Sequence, residues 1–256
     1  MKITIINSSP KGKNGKTGLF LDYFMRGMQS ASDVSINYIF LSEIINKTCN
    51  GCFACWYQNI GSCIIKDDFN AIYQKIINSN YVLYASPLYA LMFNGAMKSF
   101  LDRLSMITHE PYKEYDKATK KTYKTINLKL PPAIIFMVGN MVGQSPFKIS
   151  SYYFKEFFLL LKVDIIAEIY RPESEFFQLP INLKLQEEIL NSYTQGGSEL
   201  VTNGFISKNI IAKMTEDIVE PNVFINGHNI FWKICQKFKI HPKNFDFEKY
   251  SFMKLN

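Results

Sequence analysis

The sequence predicts a doubly wound α/β fold, a five-stranded parallel sheet of order 2-1-3-4-5 with helices on both faces and a mainly helical C-terminal extension. Three observations carry this reading. Short apolar runs alternate with amphipathic stretches through the first 170 residues, as expected when parallel strands are joined by crossover helices. A Gly/Ser-rich segment follows the first apolar run and opens a helix. After Arg171-Pro172 the alternation stops and the pattern becomes helical.

The expected strands are Ile3 to Asn7, Val34 to Leu41, Tyr81 to Ser86, Ala133 to Gly139 and Val163 to Ile169. Helices fit Thr17 to Ala31, Asp67 to Asn78, Asn94 to Ile107 and Pro146 to Lys162, with Asp67 or Asp68 placed to cap the second. Further helices fit Leu183 to Tyr193, Lys208 to Val219 and Asn229 to Phe238. The chain is therefore read as a domain over 1–170 and an extension over 171–256, packed on that domain or on a partner subunit. Two connections exceed the usual few residues, Ser42 to Lys66 and Thr108 to Leu130, and long loops on a rigid sheet commonly carry function.

Composition narrows the class. With 256 residues and 47% hydrophobic content the chain can bury a full core. Five cysteines are too few and too unevenly placed for a secreted disulfide scaffold, and Lys2 to Asn7 reads as a strand rather than a signal segment, so a cytoplasmic protein with reduced thiols is expected. No apolar run reaches the ~18 residues of a spanning helix, so no membrane role is expected. The net charge of +7 comes from scattered lysines, with arginine only at 26, 103 and 171, which argues against nucleic acid as a partner. The densest run, Lys113 to Lys129, mixes six lysines with Glu114 and Asp116 and reads as an exposed loop.

The segment Asn7 to Thr17 places backbone amides and a positive helix end above the sheet edge, where an anion belongs. Ser8, Ser9, Asn14 and Thr17 add short donors, and Gly12 and Gly15 let the backbone curl close to a ligand. Gly15-Lys16-Thr17 invites comparison with a P-loop, but Pro10 stands where that motif has its first glycine and removes a donor from the cradle. No later strand ends in an aspartate suited to Mg²⁺. After the third strand, Ala85 to Arg103 opens with a Ser-Pro turn bearing apolar and aromatic residues. In the 2-1-3-4-5 order these two loops flank one crevice, offering anion donors on one side and a flat apolar wall on the other. FMN has that shape.

Asn7-Ser-Ser-Pro-Lys11 with Asn14-Gly-Lys-Thr17, together with Ser86-Pro-Leu-Tyr89 and Met97-Lys-Ser-Phe-Leu-Asp-Arg103, resembles the NADPH-dependent FMN reductase family of flavodoxin-like proteins over about residues 1 to 170. The resemblance implies phosphate contacts from Ser9, Lys11, Asn14, Lys16 and Thr17, and ring or ribityl contacts from Ser86, Pro87, Leu88 and Tyr89. Many relatives carry Asn where this chain has Lys16, whose charge would strengthen phosphate binding. Gly139 and Asn140, opening the turn after the fourth strand, are expected to close a third side. Asp102 and Arg103 read as a helix-surface pair.

Cys49, Cys52, Cys55 and Cys63 give C-x2-C-x2-C-x7-C within one loop on the same sheet edge. Structural zinc sites usually present two separate C-x2-C knuckles, whereas this compact run resembles cluster-binding sequences and the iron-sulfur flavoproteins, a branch of the same group. Relatives with cysteines here and no assigned cluster also exist. A [4Fe-4S] cluster, free thiols or a redox disulfide, and zinc stay open at this stage. Cys235 reads as a small buried hydrophobe, and His109, His228 and His241 are isolated and read as structural.

The expected function is an FMN-dependent NAD(P)H oxidoreductase acting on a quinone, azo, nitro or flavin-type acceptor. The alternative is an iron-sulfur flavoprotein carrying electrons between protein partners. Because the flavin carries the redox chemistry, no catalytic side chain is expected, which agrees with the lack of any triad or carboxylate pair in the sequence. The resemblance also implies a homodimer or homotetramer.

Overall fold

The computed structural model describes residues 1–108, 112–117, 121–124, 130–242 and 245. These form two compact units, Met1–Glu216 and Asp217–Asn256.

The strands of the first unit are β1 (Lys2–Asn7), β2 (Ser35–Phe40), β3 (Tyr81–Tyr89), β4 (Met92–Phe93), β5 (Tyr112–Asp116), β6 (Lys121–Lys124), β7 (Ala133–Val138) and β8 (Ile165–Arg171). The main sheet runs β2-β1-β3-β7-β8, all parallel, with β4 folded back antiparallel on the end of β3. Counting only the five main strands, this is the expected 2-1-3-4-5 order. Every residue of β7 is buried, as are five of six in β1, because helices cover both faces. That is why Ile3-Thr-Ile-Ile6 and Ala133-Ile-Ile-Phe-Met-Val138 read as near-continuous apolar runs.

The helices of this unit are α1 (Lys16–Ala31), α2 (Ala54–Tyr57), α3 (Phe69–Ile77), α4 (Gly95–Leu104), α5 (Lys148–Leu160), α6 (Leu183–Asn203) and α7 (Lys208–Met214). On one face α3, α4 and α5 bury Phe69, Ile72, Ile76, Met97, Phe100, Phe154 and Phe158 in a common core with Val82, Tyr84, Ile135 and Met137 of the sheet. Each such side chain contributes on the order of 1.5–3 kcal/mol of transfer free energy. On the other face α1 buries Phe20, Leu21, Phe24 and Met28, with Phe24 edge-on to Phe136 of β7 at 6.2 Å.

The second side of α1 meets α6 at backbone distance. A Cβ on Gly197 would lie 2.0 Å from the Phe24 carbonyl oxygen, and one on Gly27 would lie 1.8 Å from that of Thr194. Tyr193 fills the remaining space beside Phe20 and Phe136, at 5.0 and 5.7 Å between ring centroids. The helix expected to stop at Tyr193 instead continues through Gly196 and Gly197 to Asn203, because those glycines are its contact surface. Gly204 then ends it with φ +79° and an N–H donated to the Leu200 carbonyl.

Three other readings change. Part of the expected exposed loop over Lys113 to Lys129 is an antiparallel hairpin, β5 with β6, whose Tyr- and Thr-bearing stretches suit strands better than their charge suggests. Residues 118–120 and 125–129 of that stretch, and His109, lie outside the described residues. Of the two aspartates placed to cap α3, Asp68 stands at the N-cap position but its side chain makes no cap bond, whereas Asp67 Oδ1 accepts the Phe69 N–H at 3.2 Å; Oδ2 of each takes an N–H of the preceding loop. The helix read over Lys208 to Val219 ends at Met214.

The second unit contains α8 (Pro221–Phe238), with Phe224 stacked on His228 at 5.7 Å and Cys235 buried. Among the described residues no helix is long and apolar enough to cross a membrane.

The contact between α1 and α6 sets a stability test. Gly197→Val is expected to lower the urea midpoint by an amount equivalent to about 1–3 kcal/mol or more, since the added atoms meet backbone that cannot yield. Gly227→Ala in α8, with open space around it, is expected to gain about 0.5–1 kcal/mol.

Candidate functional site

Parallel register brings the functional loops together. Asn7 pairs with Phe40 and Ala85, Pro87 with Val138, and Val138 with Arg171, so the chain leaves β1, β2, β3, β7 and β8 at one edge. Ser8 locks the first two central loops by donating both its backbone N–H (2.9 Å) and its hydroxyl (3.2 Å) to the Ala85 carbonyl.

The first loop turns tightly. Ser9 N–H donates to Asn7 Oδ1 at 2.9 Å, Gly12 N–H to the Ser9 carbonyl at 3.0 Å, and Asn14 N–H to the Lys11 carbonyl at 3.1 Å. Gly12 has φ +53° and Gly15 is so close that a Cβ would meet Ser9 Oγ at 2.9 Å. Gly15 is the N-cap of α1 and no side chain caps this end. Ser9 and Thr17 are buried beside it, whereas Lys11 and Asn14 are exposed on the rim.

Lys16 is the telling residue. Its Nζ is buried and has no hydrogen-bond partner among the described residues. Burial pushes its pKa down to about 8, against the opposing pull of Glu175 and assisted by repulsion from Lys11. An ammonium without a hydrogen-bond partner beside an uncapped helix N-terminus makes this a place of concentrated positive potential, which favours negative charge.

The second loop is a strand rather than a turn. β3 runs on through Ser86, Pro87, Leu88 and Tyr89, and Leu88 and Tyr89 pair with Phe93 and Met92. Ala90 and Leu91 join the strands, both in the left-handed region at φ 49° and 64°. This hairpin pushes Tyr89 (50% exposed) and Leu91 (40%) out at the edge as an apolar wall. The Ser86 hydroxyl is occupied internally, accepting from Asn94 N–H at 3.1 Å and donating to the Pro87 carbonyl at 3.0 Å.

Asn94 had not been singled out as a site residue. It caps α4 by accepting from Met97 N–H at 3.1 Å and donates its amide to the Ser8 carbonyl at 2.6 Å, tying the helix, the wall and the anion loop together. An Asn directly before an amphipathic run is a cap signal, so its local role was available from sequence. The tether to Ser8, 86 positions away, was not.

Gly139 and Asn140 form the third side. A Cβ on Gly139 would strike the Leu88 side chain at 2.9 Å, its N–H donates to the Arg171 carbonyl and its carbonyl accepts from Ser174 N–H. Asn140 Oδ1 accepts from the N–H of Glu175, the residue that faces Lys16. Met141, 44% exposed, adds an apolar edge that the sequence did not single out.

The four cysteines of the second connection line one pocket of about 330 Å³ including its mouth, with Phe53, Ile64, Ile65, Arg103 and Met106. The loop is closed by Ile45 and Lys47 N–H groups bonded to Asp68 and Asp67 at 2.8 Å. Asn70 brackets Cys63, accepting its N–H at 3.1 Å and donating to its carbonyl at 2.7 Å. Cys49 and Cys52 are exposed, Cys55 and Cys63 half-buried. Burial, then the proximity of Cys63, Cys52 and Cys49, raises the Cys55 thiol pKa, so these sulfurs sense one another. Among the described residues no three Cys, His, Asp or Glu side chains gather closely enough to hold a single ion.

Arg103 is not a surface residue. Asp102 pairs with Lys98 outside, while the Arg103 guanidinium is fully buried, paired through both terminal nitrogens with Asp67 and lying 4.2 Å over the Phe69 ring. Burial raises the Asp67 carboxyl, but the Arg103 bonds and the Lys47 and Phe69 amides outweigh it and hold the carboxyl below its usual range.

The fold defines a doubly wound α/β protein of the flavodoxin-like type, with the glycine-rich loop of α1 and the apolar hairpin of β3 and β4 on one sheet edge. Residues 1–124 match the model of the NADPH-dependent FMN reductase family. An iron-sulfur flavoprotein of Clostridioides difficile (strain 630) is 38% identical over 109 residues, covering 42% of this chain and 47% of that protein. One from Archaeoglobus fulgidus is 30% identical over 111 residues, covering 43% and 49%. The chain thus spans about half the length of these curated relatives. An FMN-dependent NADH-azoreductase from Bacillus anthracis, solved in complex with FMN, superposes with TM-score 0.58 at 14% identity over 79% of this chain and 100% of that one. An NAD(P)H:quinone oxidoreductase from Methanothermobacter marburgensis gives 0.55 at 13% identity over 78% and 98%. At these identities the likeness concerns the fold.

Asn94 is expected to be worth more than a cap. Asn94→Ala should cost about 1–2 kcal/mol in thermal unfolding. Asn94→Asp keeps the acceptor for Met97 N–H but cannot donate to Ser8, so a stability equal to wild type would show that the tether contributes nothing.

Proposed function

We propose that this protein is an FMN-dependent oxidoreductase that takes reducing equivalents from NAD(P)H and passes them to a quinone, azo, nitro or flavin-type acceptor. The observation that carries the reading is the buried Nζ of Lys16, without a hydrogen-bond partner, at the uncapped N-terminus of α1, on the sheet edge that also carries the half-buried Leu88 and the exposed Tyr89 and Leu91. The family match over residues 1–124 supports the same reading.

In it the phosphate lies in the cradle of Ser9, Lys16 and Thr17, with Lys11 and Asn14 adding donors from the rim. Lys16 supplies charge, and the first amides of α1 supply direction. Pro87, Leu88 and Tyr89 back the ring. Ser86 acts through Asn94, holding the wall against the first loop, since its hydroxyl is already engaged. Gly139 admits Leu88 to the crevice and Asn140 anchors the strap that carries Glu175. When bound, FMN would supply hydride and electron transfer, so the chain needs to bind and orient rather than move protons.

A second reading is favoured by the cysteine loop. All four thiols line one pocket, and the curated relatives that match part of this chain are named iron-sulfur flavoproteins. A single zinc ion needs its sulfurs to converge at about 2.3 Å. The spread set here suits a polynuclear centre better, so we assign Cys49, Cys52, Cys55 and Cys63 to one [4Fe-4S] cluster. Such a centre would let the protein serve protein partners one electron at a time. Such a cluster calls for a reducing compartment, and we propose a cytoplasmic protein that is an oligomer of two or four copies.

Two measurements test these readings. Lys16→Met should weaken FMN binding by roughly 10- to 100-fold, the loss of one charged hydrogen bond, while raising the melting temperature of the FMN-free protein by removing a buried unpaired charge. Because the Lys16 pKa falls to about 8 on folding, the folded FMN-free protein binds fewer protons than the unfolded chain above that pH. Its stability should therefore rise from about pH 8 towards the ordinary lysine range, and FMN affinity should fall over the same window, with both slopes lost in Lys16→Met. Protein reconstituted anaerobically with iron and sulfide should hold about four of each per chain, and Cys52→Ser should lose them while keeping FMN. Iron-free, zinc-free protein after that treatment would remove the cluster reading and leave the flavin reading intact.

A further inference from the structure

Arg103 has one donor that its structural role does not use. Asp67 takes both terminal nitrogens, with Nη2 to Oδ1 at 2.9 Å, and Nη1 also reaches the Lys47 carbonyl at 3.2 Å. The stacking on Phe69 at 4.2 Å fixes the plane of the guanidinium. The remaining nitrogen, Nε, is buried and has no hydrogen-bond partner of its own. The residue lines the cysteine pocket, and its guanidinium lies against Cys63 closely enough for the two to interact. A buried N–H without an acceptor costs about 1–3 kcal/mol, and the pocket that Arg103 lines holds the four cysteine sulfurs beside Asn50, Asp102 and Ser105, of which Cys63 is the one whose interaction with the guanidinium is seen. Asn70 meanwhile holds the Cys63 backbone from both sides, which fixes where its Cβ leaves the chain.

We propose that Arg103 is a positioning residue for the cysteine-bound centre, donating its Nε–H to sulfur at Cys63 and setting the centre's reduction potential. The proposal rests on the cluster reading above. A cluster held by four thiolates becomes more negative on reduction, and hydrogen bonds to its sulfurs and nearby positive charge favour the reduced form. Arg103 can offer both because Asp67 holds its terminal nitrogens and leaves Nε without an acceptor in a residue that lines the pocket. Asp67 thereby also limits the net charge felt at the centre, so the hydrogen bond rather than the bare cation is the larger effect. Lysine cannot replace it, having a point charge and no second nitrogen in a fixed fork.

The test uses the full-length protein reconstituted anaerobically and titrated with dithionite under EPR observation. Arg103→Lys should keep four irons and FMN but show a more negative cluster potential. The pair Asp67→Asn with Arg103→Met removes both buried charges without stranding either and should shift the potential in the same direction. Folded, cluster-bearing variants with the wild-type potential would overturn the proposal. A measurement on the wild type guards against variants that fail to fold. The chain has arginine only at 26, 103 and 171. Arg26 pairs with Asp22 on the surface, and Arg171 bonds the carbonyls of Pro172, Met214 and Glu216. Protein grown on ¹⁵N-arginine should therefore show a ¹⁵N coupling at the reduced cluster that comes from Arg103, and its absence would also overturn the assignment. Wild-type protein that takes up no iron and sulfide would instead defeat the cluster reading itself, and this role of Arg103 with it.

Discussion

The parallel pairing of β1 with β3 is the constraint on which the rest depends. It aligns Asn7 with Ala85, so the loops that follow leave the sheet side by side. Ser8 and Asn94 then fasten them, the first to the Ala85 carbonyl and the second from the head of α4 to the Ser8 carbonyl. These bonds are buried, where a missing partner is costly and a satisfied one is rigid. An anion cradle and an apolar wall that are fixed relative to each other can recognise a ligand carrying both features. The same loops on a slipped register would be two unrelated surfaces.

Two buried cations stand on this scaffold and are treated differently. Arg103 is answered by Asp67 in a two-pronged, fully enclosed pair that also closes the cysteine loop through Lys47. Lys16 has no such partner for its ammonium and sits where burial works against its charge. Breaking a pair like the first costs about 3–5 kcal/mol, which suits a structural clamp. Leaving the second unanswered costs stability in the empty protein and favours whatever anion arrives. The contrast separates a residue that builds the site from one that uses it.

Much of the site was legible locally. The Gly/Ser segment after β1, the apolar stretch after β3 and the compact cysteine run each carry their chemistry within a dozen or so positions, and their order along the chain follows from the alternation of strand and helix. Other features have no local signature. Arg103 beside Asp102 reads as a surface pair because an acid next to a base on a helix usually is one, and only burial against Phe69 shows otherwise. Glu175 follows β8 in a segment with no motif, yet it faces Lys16 from more than 150 positions away. Gly196-Gly197 looks like the end of a helix and is instead the place where α6 rests on α1.

By itself the sequence determined the sheet and its order, the glycine-rich loop at the head of α1, the apolar stretch that follows β3 and the set of four thiols, because each follows from hydrophobic period, turn chemistry or spacing along the chain. Only the tertiary structure decided which charges are paired. It left Lys16 without a partner, gave Arg103 to Asp67 and set Asn94 as the tie between two loops. Such choices depend on which distant backbone and side-chain groups share a water-free space, and that distance has no counterpart in sequence order.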